Sequence, residues 1–138
     1  MTQLTPTMHS ILDDFSLFED WEDKYSYLIE LGASMPPLED VYKTDAYKVR
    51  GCTSQVWIIH EMRDGLHYFR ADSDAHIVRG LVALLIRIAS GQDRATIISL
   101  DISGFFATLG LKEHLSPSRS NGFFAMVERI KQVAQLNQ

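Results

Sequence analysis

The chain has 138 residues, 46% of them hydrophobic and 22% charged, which suits a single globular domain over 1–138 with its own core. A net charge of −5, with Lys and Arg scattered and never adjacent, argues against nucleic acid as the main partner, since that needs clustered cations. No stretch approaches the roughly 18 uninterrupted apolar residues of a membrane span, so no membrane partner is expected.

The opening Met1-Thr2-Gln3-Leu4-Thr5-Pro6 has no basic cluster followed by an apolar block, so no secretory signal is read there. A single cysteine without such a signal fits a reducing, cytoplasmic setting. Acidic residues concentrate early, at Asp13, Asp14, Glu19, Asp20, Glu22 and Asp23, and are read as solvated helix faces and caps. Residues 8–16 and 20–31 form two predicted helices broken near Leu17-Phe18-Glu19. In the second, Trp21, Tyr25, Leu28 and Ile29 recur at helical spacing. Asp20 is its expected cap and Gly32 its expected end. Met35-Pro36-Pro37 cannot continue a helix. Residues 33–47 are therefore a long connection, held by packing of Leu38, Val41 and Tyr42.

Residues 54–62 and 66–71 are rich in β-branched and aromatic side chains and flank Asp64-Gly65, a favoured two-residue hairpin turn. Val56, Ile58, His60 and Met62 face one way, and Trp57, Ile59 and Glu61 the other. His60 is read as a hydrogen-bonded core histidine rather than a base. From Ala75 the pattern turns helical. Ile77, Val78, Leu81, Val82, Leu84, Leu85, Ile86 and Ile88 leave almost no polar face, which predicts a central buried helix. Asp72-Ser73-Asp74 is its expected cap and Gly91 its stop. Short helices are predicted near 93–99 and 103–109. A last helix starts at Ser116-Pro117 and runs to about Ala134, with Phe123, Met126, Val127 and Ile130 as its buried stripe. Helices, then a hairpin, then helices make an α+β domain, a small antiparallel sheet covered on one side by helices.

Cys52, the one cysteine, sits in Arg50-Gly51-Cys52-Thr53-Ser54-Gln55, directly ahead of an apolar strand. A lone thiol forms no internal disulfide and by itself holds neither zinc nor a cluster, so no resident metal is expected. It is either a small buried filler or a nucleophile and carrier of one transferable group. Its polar context, and Arg50 two residues upstream as a cation that lowers a thiol pKa, favour the second. Gly51 gives the backbone unusual freedom beside the sulfur.

These residues resemble the SufE family of sulfur acceptors, including its CsdE branch, over nearly the whole chain. The likeness is carried by Trp21-Glu22-Asp23-Lys24-Tyr25, Ile29-Glu30-Leu31-Gly32, Met35-Pro36, Val49 to Trp57, Asp72-Ser73-Asp74-Ala75, and His114 to Gly122. The resemblance implies a SufE/IscU-like α+β fold. It also implies that Cys52 accepts sulfur as a persulfide from a pyridoxal-phosphate-dependent, SufS/CsdA-like cysteine desulfurase, stimulates it, and passes the sulfur to an iron–sulfur cluster assembly scaffold. The pyridoxal phosphate would belong to the partner, so this chain needs no cofactor and is no independent enzyme. IscU-type scaffolds use three cysteines as cluster ligands; with one, assembly on this chain is not expected. The chain is expected as a monomer or weak homodimer.

The chemistry suggests a two-position loop, with Cys52 tucked at rest, extended into the partner for transfer, and hinged at Gly51. Arg119 has two readings: a contact to the Cys52 loop or the desulfurase, or a surface arginine paired with Asp72 or Asp74. Gln55 either hydrogen-bonds within the loop or solvates a strand edge. Asp74 is read first as a helix cap, with partner contact second. Trp21 and Trp57 are assigned to the core. Two other functions compete. One is a cysteine-dependent hydrolase or transferase with His60, His67, His76 or His114 as base. The other is a docking regulator that tunes an enzyme without covalent chemistry. Metal chaperoning is a distant third, for want of ligand spacing.

Overall fold

In the computed structural model, which describes residues 4–137, the first helix, α1 (Pro6–Ser16), starts on Thr5, whose hydroxyl accepts the Met8 N–H at 3.2 Å. Of the opening segment read for targeting, Met1–Gln3 lie outside the described residues. Met8, Ile11 and Phe15 form the buried stripe of α1. The cap of α2 (Trp21–Ser34) is Asp20, as expected, with its carboxylate accepting the Asp23 N–H at 2.9 Å.

Gly32 does not end α2. The helix passes through it to Ser34, and Gly32 is instead where α2 and the later helix α3 (His76–Ala89) touch backbone to backbone. A Cβ there would lie 2.7 Å from the Gly80 nitrogen, and one at Gly80 would lie 2.2 Å from the Leu28 carbonyl oxygen. The helix stops because Met35 precedes a proline and takes extended backbone. Its last carbonyls are not left bare: the Arg79 guanidinium donates to Gly32 O at 2.7 Å and Met35 O at 2.8 Å.

In the connection that follows, Leu38 is buried, but Val41 is 72% exposed and Tyr42 only half-buried. The expected packing of Val41 fails because residues Asp40–Tyr42 form a 3₁₀ turn that carries it outward. The segment then lies along the sheet edge. Val49 N–H donates to Val56 O, Ile58 N–H donates to Tyr47 O, and Lys48 bridges Trp57. Trp57 is 8% exposed, with the Lys43 ammonium 5.8 Å from its ring centroid.

The hairpin is antiparallel, β1 (Val56–Arg63) with β2 (Leu66–Ser73), so the first strand starts two residues later and the second ends two residues later than expected. Asp64 and Gly65 both have positive φ, 54° and 78°, the signature of a type I′ turn. Val56, Ile58, His60 and Met62 stand opposite Ser73, Ala71, Phe69 and His67 and so share one face. The central helix α3 packs on β2, on α2 and on the last helix. Leu81, Leu84, Leu85 and Ile88 of α3 are at most 1% exposed, each contributing about 1.5–3 kcal/mol over leaving it in water.

The Asp72-Ser73-Asp74 run does not cap α3 as expected. The cap residue is Ala75, with no side-chain bond to the helix. Ser73 Oγ accepts only the Ala75 N–H at 3.3 Å, and the two aspartates are committed elsewhere. After α3, Gly91 (φ 82°) turns the chain so that its N–H donates to His67 O. The short helices α4 (Arg94–Ser99) and α5 (Ile102–Thr108) follow, then one turn not foreseen, α6 (Leu111–His114). The last helix, α7 (Pro117–Leu136), starts on Ser116, whose hydroxyl accepts the Arg119 N–H at 3.2 Å. Its buried stripe includes Phe123, Met126, Val127, Ile130 and Ala134. The result is the expected α+β domain, a two-stranded antiparallel sheet packed against helices.

Candidate functional site

The loop from Arg50 to Gln55 leads from the buried anchor Val49 to the first residue of β1. Gly51 turns it with φ 94°, a conformation strained for any residue with a side chain, and an added Cβ would lie 3.2 Å from Ala125 Cβ. Cys52, immediately after, is half-buried and donates its S–H to the Gly122 carbonyl at 3.4 Å.

Ser118, Gly122 and Met126 lie at i, i+4 and i+8 of α7 and so share one face. The missing side chain at Gly122 leaves a notch in that ridge, and the sulfur fills it: a Cβ on residue 122 would lie 3.5 Å from Sγ. Val78 of α3 and Met126 give the cavity beside the sulfur an apolar wall, while Ser54, Ser118 and Arg119 give it a polar one.

Two further ties hold the loop. The Thr53 and Ser118 hydroxyls are 2.6 Å apart. Gln55 N–H donates to the Asp74 carboxylate at 3.0 Å, and Asp74 N–H returns a bond to Gln55 O. Asp74 therefore fastens the Cys52 loop instead of capping α3. The tie at Gln55 is made by its main chain, and the residue is otherwise exposed.

Burial pushes the Cys52 thiol above its ordinary value of 9.0. The bond it donates to Gly122 favours the protonated form as well. This reverses the expectation that Arg50 makes a reactive thiolate. Arg50 is exposed and precedes the turn at Gly51, and it lines a different groove with Ala125, Glu128 and Arg129. Arg119 does line the Cys52 cavity, although exposed. Among the described residues it makes no ion pair with Asp72 or Asp74. Asp72 is instead held by Arg79 at 2.8 Å and Lys43 at 3.5 Å. Burial works against the Asp72 charge, but donors from Leu38, Ser73 and Arg79 outweigh it and keep the carboxyl below the usual range.

None of His60, His67, His76 and His114 lines the Cys52 cavity. His67 is fully buried and its Nδ1 is 2.7 Å from His60 Nε2, so His60 is hydrogen-bonded, as expected, but it is only half-buried, and His67 is the histidine in the core. Trp21 is only half-buried, stacked on His114 at 3.8 Å. Among the described residues no three of His, Cys, Asp and Glu are placed to hold a metal ion, and no helix is long and apolar enough to cross a membrane. Val78 and Met126, expected only as core, and Ser118 and Gly122, not singled out from the sequence, also shape the seat. The 118/122/126 spacing is the available signal, but nothing in it says which loop fills the gap.

Comparison with known proteins finds relatives over nearly the whole chain. The model of the family described as SufE, Fe–S metabolism associated domain, matches residues 9–134. An uncharacterized SufE-like protein of Rhizobium meliloti (strain 1021) is 44% identical over 133 residues, covering 94% of this chain and 95% of the relative. Another, from Rhizobium etli, is 45% identical over 134 residues, covering 94% and 90%. The solution structure of a hypothetical protein from Thermus thermophilus shares the fold, with a TM-score of 0.79, 20% identity and 97% coverage of both chains. On the family match and these relatives, the chain belongs to the SufE family, whose domain is associated with Fe–S metabolism.

Proposed function

We propose that this protein accepts sulfur on Cys52, as a persulfide, from a pyridoxal-phosphate-dependent cysteine desulfurase, stimulates that enzyme, and delivers the sulfur to iron–sulfur cluster assembly in the cytoplasm. The observation that carries the reading is the seat of Cys52: the chain's single thiol, on a glycine-hinged loop, parked half-buried in a notch of α7.

Transfer requires a thiolate to attack the terminal sulfur of the partner's persulfide. A new S–S bond forms on Cys52, the old one breaks, and the partner's cysteine leaves as thiolate, with no net oxidation or reduction. At rest the seat opposes this chemistry, because it keeps the thiol protonated and partly covered. That suits a carrier, whose thiol must not meet stray disulfides and oxidants. Reaction then follows release of the loop. Release breaks the Cys52–Gly122, Thr53–Ser118 and Gln55–Asp74 bonds, each worth about 0.5–1.5 kcal/mol net, a total that docking can offset. Arg50 and Arg119 are exposed on the loop and beside it, a pairing that fits acidic groups around the partner's active-site entrance. This reading assigns the pyridoxal phosphate to the partner and makes the chain a carrier and activator rather than an independent enzyme.

A hydrolase reading lacks its base, since no histidine lines the cavity and the two on the sheet are bonded to each other. A docking regulator is separated by one variant. Alanine release by a cysteine desulfurase should rise with the wild-type protein and not with Cys52→Ser. Equal stimulation by both would make the role non-covalent.

A further inference from the structure

A titratable pair, His60 and His67, takes no part in the chemistry of Cys52. Both rings stand on the buried face of the hairpin, near its turn, with His60 half-buried and His67 fully buried. Nδ1 of His67 lies 2.7 Å from Nε2 of His60, so one donates and the other accepts. The other ring nitrogen of His67, Nε2, is buried, and among the described residues no group is within bonding reach of it. That orphan decides the tautomer. An N–H there would be a buried donor with no acceptor, the costlier defect, whereas a bare nitrogen leaves only a lone pair unmet. His67 therefore carries its proton on Nδ1 and donates it to His60 Nε2, and His60 carries its own on Nδ1. An added proton fits none of the arrangements open to this pair. If His60 becomes imidazolium in place, its Nε2–H faces His67 Nδ1, and the His67 proton must move to the orphaned Nε2. If His67 takes the charge, its Nε2–H again has no acceptor. If a charged His60 swings into water, His67 keeps one buried N–H with nothing to bond. Every route leaves a donor of His67 unsatisfied. Charged neighbours do not repair this. Asp93, ahead of α4, is an anion whose field reaches His67, but its carboxylate is taken up by Thr96. Glu61, Arg63 and Arg70 line the groove beside His60, with Arg63 next to Glu61 and Arg70 bound to Glu39. On α3, Arg79 binds Asp72 and Arg87 stands at Tyr27.

We propose that the pair is an acid-labile clasp at the turn end of the hairpin: one N–H···N bond holds it shut at neutral pH, and uptake of a further proton opens it. The clasp stands apart from the sulfur-acceptor reading and holds whether or not Cys52 carries sulfur. Opening is local, because the two ends of the hairpin have separate ties. At the Cys52 end, Val49 N–H donates to Val56 O and Gln55 N–H to the Asp74 carboxylate. At the turn end, β2 is held to the chain after α3 through His67 itself, whose N–H donates to Gln92 O and whose C=O accepts from Gly91 N–H. Acid therefore loosens the hairpin tip and the 91–92 turn together and leaves the Cys52 end paired.

Nitrogen NMR of isotope-labelled imidazole rings in the full chain, from pH 8 to 5, tests this. At pH 8 His67 should show the Nδ1–H tautomer, the one less favoured in water; an Nε2–H tautomer there would overturn the proposal. Amide hydrogen exchange on the same samples, corrected for its intrinsic pH dependence, reads the opening. Protection at His67 and Gly91 should fall about tenfold between pH 7 and 5, with that at Val49 nearly constant. A uniform fall at all three amides, or none at His67 and Gly91, would contradict a local clasp. H60Q isolates the sensor. Its side-chain carbonyl can accept from His67 Nδ1–H and takes up no proton, so the tautomer should stay and the acid response disappear. A response of wild-type size in H60Q would show that His60 is not the group that opens the tip.

Discussion

Cys52 is held by its surroundings in the form least able to react. Its proton is donated to Gly122, and burial raises its pKa above 9.0. A proton bound more tightly in the tucked state means that the tucked state is favoured below pH 9. It loses ground as pH rises through the folded pKa. Iodoacetamide rates should therefore lag those of the urea-unfolded chain at neutral pH, with a midpoint shifted upward; a native midpoint below the unfolded one would contradict the parked thiol. The Thr53–Ser118 bond is a second, separable restraint. Ser118→Ala should speed native alkylation about two- to tenfold, the effect of one lost hydrogen bond, with an unchanged circular dichroism spectrum. Cys52 and the turn at Gly51 are legible in the sequence, because a single thiol after a glycine is a local pattern. The α7 notch is not, since it exists only once the loop and the helix meet across 70 positions. Arg50 misleads for the same reason: nearness along the chain is not nearness in space, and the turn at Gly51 separates the two.

At the scale of elements, the α2–α3 contact sets the frame behind the site. Gly32 and Gly80 let two backbones approach to a distance that no side chain permits. Gly80→Ala would place a Cβ 2.2 Å from the Leu28 carbonyl oxygen, so the helices must part. A loss of about 1–3 kcal/mol is expected from such overpacking, read as a lower urea midpoint; an unchanged midpoint would show that the contact is looser than described. A helical glycine shortly before Met-Pro looks like a terminator, which is why the sequence points to that role for Gly32. The backbone contact that overrides it is a property of two helices together. The same holds for Asp72 and Asp74. Their position ahead of α3 suggests capping, but Arg79, Leu38 and the Cys52 loop bind them first. Most helices and the hairpin are legible, because hydrophobic periodicity, Ser-Pro and Asp-Gly are local signals. The single turn α6 and the edge pairing of Tyr47–Val49 are set by tertiary contacts and carry none.

Across the whole molecule the α+β architecture follows from one nearly all-apolar helix, α3, that must be covered by other elements. The sheet beside it carries the His60–His67 pair, and burial, with His67 as neighbour, pushes the His60 pKa below 6.5. The unfolded chain then binds the proton at higher pH than the folded one, so stability is full above about pH 6.5 and falls as pH drops toward the folded value. Urea midpoints measured from pH 8 to 5 should decline, and His60→Gln should flatten that decline; an identical slope would assign it to other groups. The frame keeps the Cys52 loop at the surface and its sulfur in the notch, which is what a carrier requires. The most direct test is intact-mass spectrometry under non-reducing conditions after incubation with cysteine and a cysteine desulfurase. A gain of one sulfur, reversed by reductant and absent in Cys52→Ser, is the expected result. No gain, while the desulfurase itself is visibly persulfidated, would contradict sulfur acceptance by Cys52.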